Sequence, residues 1–108
     1  MTDSDIRTRI DELIKNNKVM LFMKGTKQFP ACGFSNAVVQ ILKKEGTSFE
    51  TFNILADAEM RQGLKDYSNW QTYPQLYVGG KFVGGCDIVT EMHQSGELAT
   101  VLKGTPAT

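Results

Sequence analysis

The sequence predicts an α/β fold in which a central four-stranded mixed sheet is flanked by helices. Two observations predict it. Segments with helical spacing of apolar residues alternate with short apolar or alternating segments in the order α-β-α-β-α-β-β-α, and a Gly79-Gly80 pair separates the last two strand-like runs. The length of 108 residues suits one domain spanning residues 1–108, because two separate cores of that size would each be marginal.

Residues 3–15 carry Ile6, Ile10, Leu13 and Ile14 as a helical stripe, with Asp3 or Ser4 available as cap. Residues 18–23 are bulky and apolar and end at Gly25, which suits a strand buried on both faces. After a loop holding Phe29 and Pro30, residues 32–45 place Phe34, Val38, Ile41 and Leu42 on one helical face, and Gly46 provides a C-cap. Residues 48–54 alternate and are rich in aromatic and branched side chains, as in a strand. Asp57 caps a helix reaching about Tyr67, with Met60, Leu64 and Tyr67 facing inward. Residues 75–78 and 81–83 flank the two glycines, which tolerate the positive φ of a tight hairpin. Residues 87–93 and 97–102 close the chain as helical segments broken near Ser95-Gly96. Two parallel strands joined by a crossover helix and followed by a hairpin make the thioredoxin-like plan.

Composition excludes several classes. Twelve basic and twelve acidic side chains cancel, so no net field draws the chain onto nucleic acid or an anionic membrane. The polar opening residues have no apolar core like that of a secretory signal, and the apolar run 19–23 is far shorter than the ~20 residues of a spanning helix. A cytoplasmic protein is expected. Cys32 and Cys86 are the only cysteines, which is no disulfide framework, and with His93 they cannot complete a closed zinc site in one chain. Trp70, Met20, Met23, Met60 and Met92 are expected to pack the core, and His93 to be exposed.

Cys32 stands where a loop becomes a helix, and there unpaired N–H groups and the helix dipole favour an anion. A thiolate at such a place is both a nucleophile and a metal ligand; the plainer reading is a buried, inert cysteine. Lys24-Gly25 and the string Pro30-Ala31-Cys32-Gly33-Phe34-Ser35 resemble the signature of the CGFS monothiol glutaredoxins. The resemblance extends to Trp70 through Gln75 and to Gly84-Gly85-Cys86-Asp87-Ile88, in family order and spacing, over nearly the whole chain. One departure stands out: relatives usually carry proline at the position of Gln71, which bears on the geometry of that loop.

The resemblance implies glutathione as cofactor. It assigns Lys24 and Arg61 to the glycine carboxylate, Cys86-Asp87 to the γ-glutamyl end, and a cis Tyr73-Pro74 bond whose Tyr73 backbone pairs with bound glutathione like an added strand. Cys86 admits three readings: a packed residue at a helix start, a backbone contact for glutathione, or a resolving thiol for Cys32; the second is favoured. Ser35 replaces the second cysteine of dithiol relatives and cannot resolve a mixed disulfide. A 2Fe-2S cluster generally takes four thiolate-type ligands and this chain offers one well-placed cysteine, so the others must come from elsewhere; the resemblance implies a homodimer in which two Cys32 and two glutathione thiolates share the cluster. The expected function is cluster carriage to recipient iron-sulfur proteins. A glutathione-dependent oxidoreductase acting through Cys32 is the alternative, and a BolA-like protein is a further partner compatible with the carrier.

Overall fold

The structure, a computed structural model, describes residues 2–104. Its elements run α1 (Asp3–Asn16), β1 (Val19–Met23), α2 (Gly33–Lys44), β2 (Glu50–Asn53), a 3-10 turn (Ile54–Ala56), α3 (Ala58–Ser68), β3 (Gln75–Val78), β4 (Lys81–Gly84), α4 (Cys86–Ser95) and α5 (Glu97–Gly104). The strands lie in the order β2-β1-β3-β4. β1 pairs with β2 in parallel through Leu21 and Thr51, and with β3 antiparallel through Leu21 and Leu76. The predicted mixed sheet is therefore the one observed.

β1 explains why the sheet is covered on both faces. All five of its residues are buried, and successive side chains on a strand point to opposite faces. Val19, Leu21 and Met23 enter a core with Val38, Leu42, Val89 and Leu98 from α2, α4 and α5. Met20 and Phe22 enter the other, with Ile6 and Ile10 of α1 and Met60 and Leu64 of α3. The hairpin between β3 and β4 turns on Gly79 (φ 61°) and Gly80 (φ 82°), the two positive values that a type I′ turn requires. Among the described residues no helix is long and apolar enough to cross a membrane.

Several expectations are corrected. α1 is capped by Thr2, not by Asp3 or Ser4: the Thr2 hydroxyl accepts from the Asp5 N–H while the Asp5 carboxylate reaches back to the Thr2 N–H, a capping box. Phe34 is 63% exposed, because the inward position in the first turn of α2 is taken by fully buried Ser35. β2 is shorter than the predicted strand; Asn53 ends it by accepting the Leu55 N–H at 3.0 Å and turning the chain into the 3-10 turn. His93 is half-buried, with Nδ1 2.7 Å from Glu45 Oε2 at the end of α2, so the pair braces α4 against α2.

Candidate functional site

Residues 24–31 leave β1 and fold back to deliver Cys32 to the start of α2. The return is fixed by backbone bonds: the Ala31 N–H donates to the Lys24 carbonyl at 2.9 Å and the Thr26 N–H to the Phe29 carbonyl at 3.1 Å. Gly25 holds the crossing point with φ +94°, and its N–H donates to Asn53 Oδ1 at 2.9 Å, tying the loop to the end of β2. Beneath the loop, Ser35 Oγ accepts the Lys24 N–H at 3.1 Å. Ser35 thus has a structural role that its comparison with a resolving cysteine did not reveal.

Cys32 is the N-cap residue of α2, with extended backbone, and no side-chain capping bond fills the helix start. Its thiol pKa lies below the ordinary cysteine value. The Ser35 backbone N–H is the principal cause, with the Phe34 N–H, the Lys24 ammonium and the Ser35 hydroxyl adding to it while partial burial opposes them. The helix-start expectation is met by unpaired N–H groups that hydrogen-bond the anion.

A cleft of about 380 Å³ opens beside this sulfur. It brings together every predicted site residue except Pro74: Lys24 and Cys32 from the β1-to-α2 turn, Arg61 from α3, Tyr73 from the loop before β3, and Cys86 and Asp87 from the start of α4. Pro74 is buried behind the wall and follows Tyr73 through a cis peptide bond. Cys32 and Cys86 are both free thiols.

The wall from α3 to the loop is tied by side chains and backbone. The buried Tyr73 hydroxyl donates to the Arg61 carbonyl, and burial pushes its pKa up, so it stays a neutral donor. The Trp70 N–H donates to the Lys65 carbonyl at 3.3 Å. Lys65 was not anticipated from the sequence, although its i+4 spacing from Arg61 puts both cations on one helix face. Lys24, Arg61 and Lys65 form no ion pair among the described residues, whereas Asp87 sits at the N-terminus of α4. The cleft is therefore cationic along one wall and presents helix N–H groups with a carboxylate at another.

Trp70 corrects a further expectation. Instead of packing only into the core it lines the cleft, with its ring centroid 5.6 Å from that of Phe82. Its indole Nε1 is buried and has no hydrogen-bond partner among the described residues. A Cβ built on Gly85, the N-cap of α4, would stand 3.2 Å from that nitrogen and 3.3 Å from the Pro74 carbonyl oxygen, so only glycine fits there without displacement. Phe34 is exposed at the cleft, and Phe29, outside it, is exposed on the other side of Cys32 in sequence.

Comparison with known proteins agrees with this arrangement. The family model described as glutaredoxin matches residues 19–83. An uncharacterized monothiol glutaredoxin from Synechocystis is 61% identical over 99 residues, covering 92% of this chain and 92% of the relative. A probable monothiol glutaredoxin of Rickettsia conorii is 60% identical over 94 residues, covering 87% of this chain and 88% of that protein. The solution structure of reduced poplar apo GrxS14 superimposes with a TM-score of 0.89 at 50% identity over the full length of both chains. With a single cysteine in its Cys32-to-Ser35 motif and this match across the sheet, the chain belongs to the glutaredoxin family, as a monothiol member of the thioredoxin-like superfamily.

Proposed function

We propose that the protein binds glutathione in this cleft and, as a homodimer, carries a bridging 2Fe-2S cluster to recipient iron-sulfur proteins. The observation that carries the reading is the Cys32 thiol, held toward its anion by the Ser35 and Phe34 N–H groups at the mouth of a cleft with cations on one wall and a helix start on another. The residues fit glutathione. Its glycine carboxylate suits Lys24 and Arg61, its γ-glutamyl zwitterion suits the α4 N-terminus at Cys86 with Asp87, and the Tyr73 backbone beside cis Pro74 suits its peptide. When bound, glutathione supplies a second thiolate beside Cys32.

Among the described residues no three His, Cys, Asp or Glu side chains converge as metal ligands. The ligand set must then be assembled: two Cys32 thiolates and two glutathione thiolates make the four that such a cluster takes. A set that is half diffusible favours transfer. A BolA-like protein in place of the second copy is a compatible partner, and a reducing compartment such as the cytoplasm keeps the thiols available.

A second reading is favoured by the same lowered thiol pKa. The Cys32 thiolate attacks the glutathione sulfur of a protein mixed disulfide, forming a Cys32–glutathione disulfide and releasing the protein thiolate. A further glutathione thiolate then attacks, restoring Cys32 and leaving glutathione disulfide. Cys86 is the other cysteine in the cleft and would be the resolving thiol if one acts within the chain.

Anaerobic reconstitution with iron and sulfide, with and without glutathione, tests the proposal. A visible chromophore that co-elutes with a dimer and forms only with glutathione is expected. Rapid deglutathionylation with no chromophore under either condition would replace the carrier by the reductase.

A further inference from the structure

We propose that the aromatic rings between the cleft wall and the face covered by α1 and α3 form a one-electron relay, which carries an oxidising equivalent from Trp70 to Tyr67 and delivers the phenolic proton to Asp11. The inference does not rest on glutathione or a cluster occupying the cleft.

Strand register puts the rings in line. Tyr77 of β3 and Phe82 of β4 are paired residues, so their side chains stand on one face of the sheet, the face that α1 and α3 cover. Trp70, just past the end of α3, lies against Phe82, and Tyr67, in the last turn of α3, lies against Tyr77. Ring centroids are 5.6 Å apart from Trp70 to Phe82, 5.3 Å from Phe82 to Tyr77 and 6.3 Å from Tyr77 to Tyr67, all ordinary ring contacts. Phenylalanine is too hard to oxidise to hold the charge, so Phe82 acts as the bridge from Trp70 to Tyr77. Of these four rings, Trp70 is the one that lines the cleft.

Proton acceptors set the direction of transfer. Losing an electron makes an indole N–H or a phenol O–H strongly acidic, so the charge settles on the ring whose proton has a base to go to. Trp70 Nε1 is buried without a partner among the described residues, so the oxidised indole keeps its proton and remains a radical cation, a strong oxidant. Tyr73 donates to the Arg61 carbonyl and Tyr77 to Gln75 Oε1, both neutral amide oxygens, whereas Tyr67 donates to the Asp11 carboxylate at 2.6 Å. Burial and that carboxylate push the Tyr67 pKa up to about 12, so the phenol is protonated at rest. The Arg7 guanidinium lies 5.3 Å from the centroid of the Tyr67 ring, which disfavours a positive ring there and makes the proton leave with the electron. A diffusible oxygen-centred radical thus takes one electron from Trp70, and an electron from Tyr67 restores the indole. The Tyr67 proton passes to Asp11 and a neutral tyrosyl radical remains. A solution thiol gives that radical a hydrogen atom and departs as a sulfur radical, and Asp11 loses its proton to water. The oxidising equivalent has then left the thiol cleft for the far side of the sheet edge.

The test is pulse radiolysis of the full chain carrying Cys32→Ser, which removes the thiolate that competes for the Trp70 radical. Azide radicals serve as the oxidant, because at neutral pH they take tryptophan before tyrosine. Trp70 is the chain's only tryptophan, so the indole radical absorbance has one source. That absorbance is expected to decay as tyrosyl absorbance rises, at a rate independent of protein concentration. Adding Tyr67→Phe, which keeps the ring, should abolish the rise. Adding Asp11→Asn, which keeps a hydrogen-bond acceptor and removes the base, should slow it about 100-fold, the low end of what a positioned proton acceptor contributes. A tyrosyl rise that survives Tyr67→Phe, a rate unmoved by Asp11→Asn, or a rate proportional to protein concentration would each overturn the inference.

Discussion

A Cys32→Ser variant is expected to emerge from reconstitution colourless and without the cluster-dependent dimer, with a thermal midpoint close to that of wild type. Serine offers no thiolate, so each copy loses its only protein-derived cluster ligand and the nucleophile of the alternative reductase together. Cys32 is a half-exposed N-cap, and serine, a favoured N-cap residue, can accept from the Ser35 N–H that holds the thiolate, so the change in stability stays within about ±0.5 kcal/mol. Loss of function without loss of fold is the signature. Retained absorbance in the variant would move the cluster site away from Cys32.

The same thiol gives a pH dependence whose sign follows from its environment. Alkylation of Cys32 in wild type, followed by mass spectrometry of its peptide, should reach half its maximal rate at a lower pH than for an unperturbed cysteine. The folded pKa is depressed, so the unfolded chain holds this proton to higher pH. The thiolate's contribution to stability is fully present above the unfolded value and is lost as pH falls through the lower folded one.

Gly25→Ala should have the largest effect on stability. At φ +94° a Cβ would stand 2.4 Å from the Ala31 nitrogen and 2.6 Å from the Phe29 carbonyl oxygen, both backbone atoms of the same loop. A non-glycine residue in this region costs about 1–3 kcal/mol before any clash. Opening the loop to relieve the clash also weakens the bonds from Ala31 to Lys24 and from Gly25 to Asn53, each worth about 1 kcal/mol. We expect a loss of about 3 kcal/mol, or on the order of 10–20 °C in Tm, accompanied by a rise in the Cys32 pKa as the helix start shifts. A Tm within about 2 °C of wild type and an unchanged thiol titration would show that the loop accommodates the methyl group, contrary to this account.

Periodicity made the framework legible. The stripe Ile6, Ile10 and Ile14, the unbroken apolar run of β1 and the paired glycines at 79 and 80 each depend on neighbours close in sequence, and each is found as expected. What stayed hidden depends on distant partners. Gly25 is explained by Asn53, 28 residues away, and Glu45 draws in His93 across 48 residues. Ser35 reads as an absent cysteine until its hydroxyl is seen beneath the Lys24 N–H. Phe34 fits the apolar stripe of α2 yet points outward, because a first turn built around an exposed sulfur leaves only room for a small inward residue. Trp70 has the composition of a core residue, and only the fold of residues 70–74 puts it in the cleft. Motif spacing located the site residues that lie in the Cys32, Tyr73 and Cys86 segments and marked Gln71 as a departure in its loop, but Lys65 entered only with the geometry of the wall.

Native mass spectrometry of the reconstituted protein tests the central claim most directly, since it weighs protein, glutathione and cluster in one species. The account predicts a complex of two chains, two glutathiones and one 2Fe-2S cluster, falling apart to apo monomers when glutathione is removed. A cluster held by a single chain, or by a dimer that contains no glutathione, would contradict it.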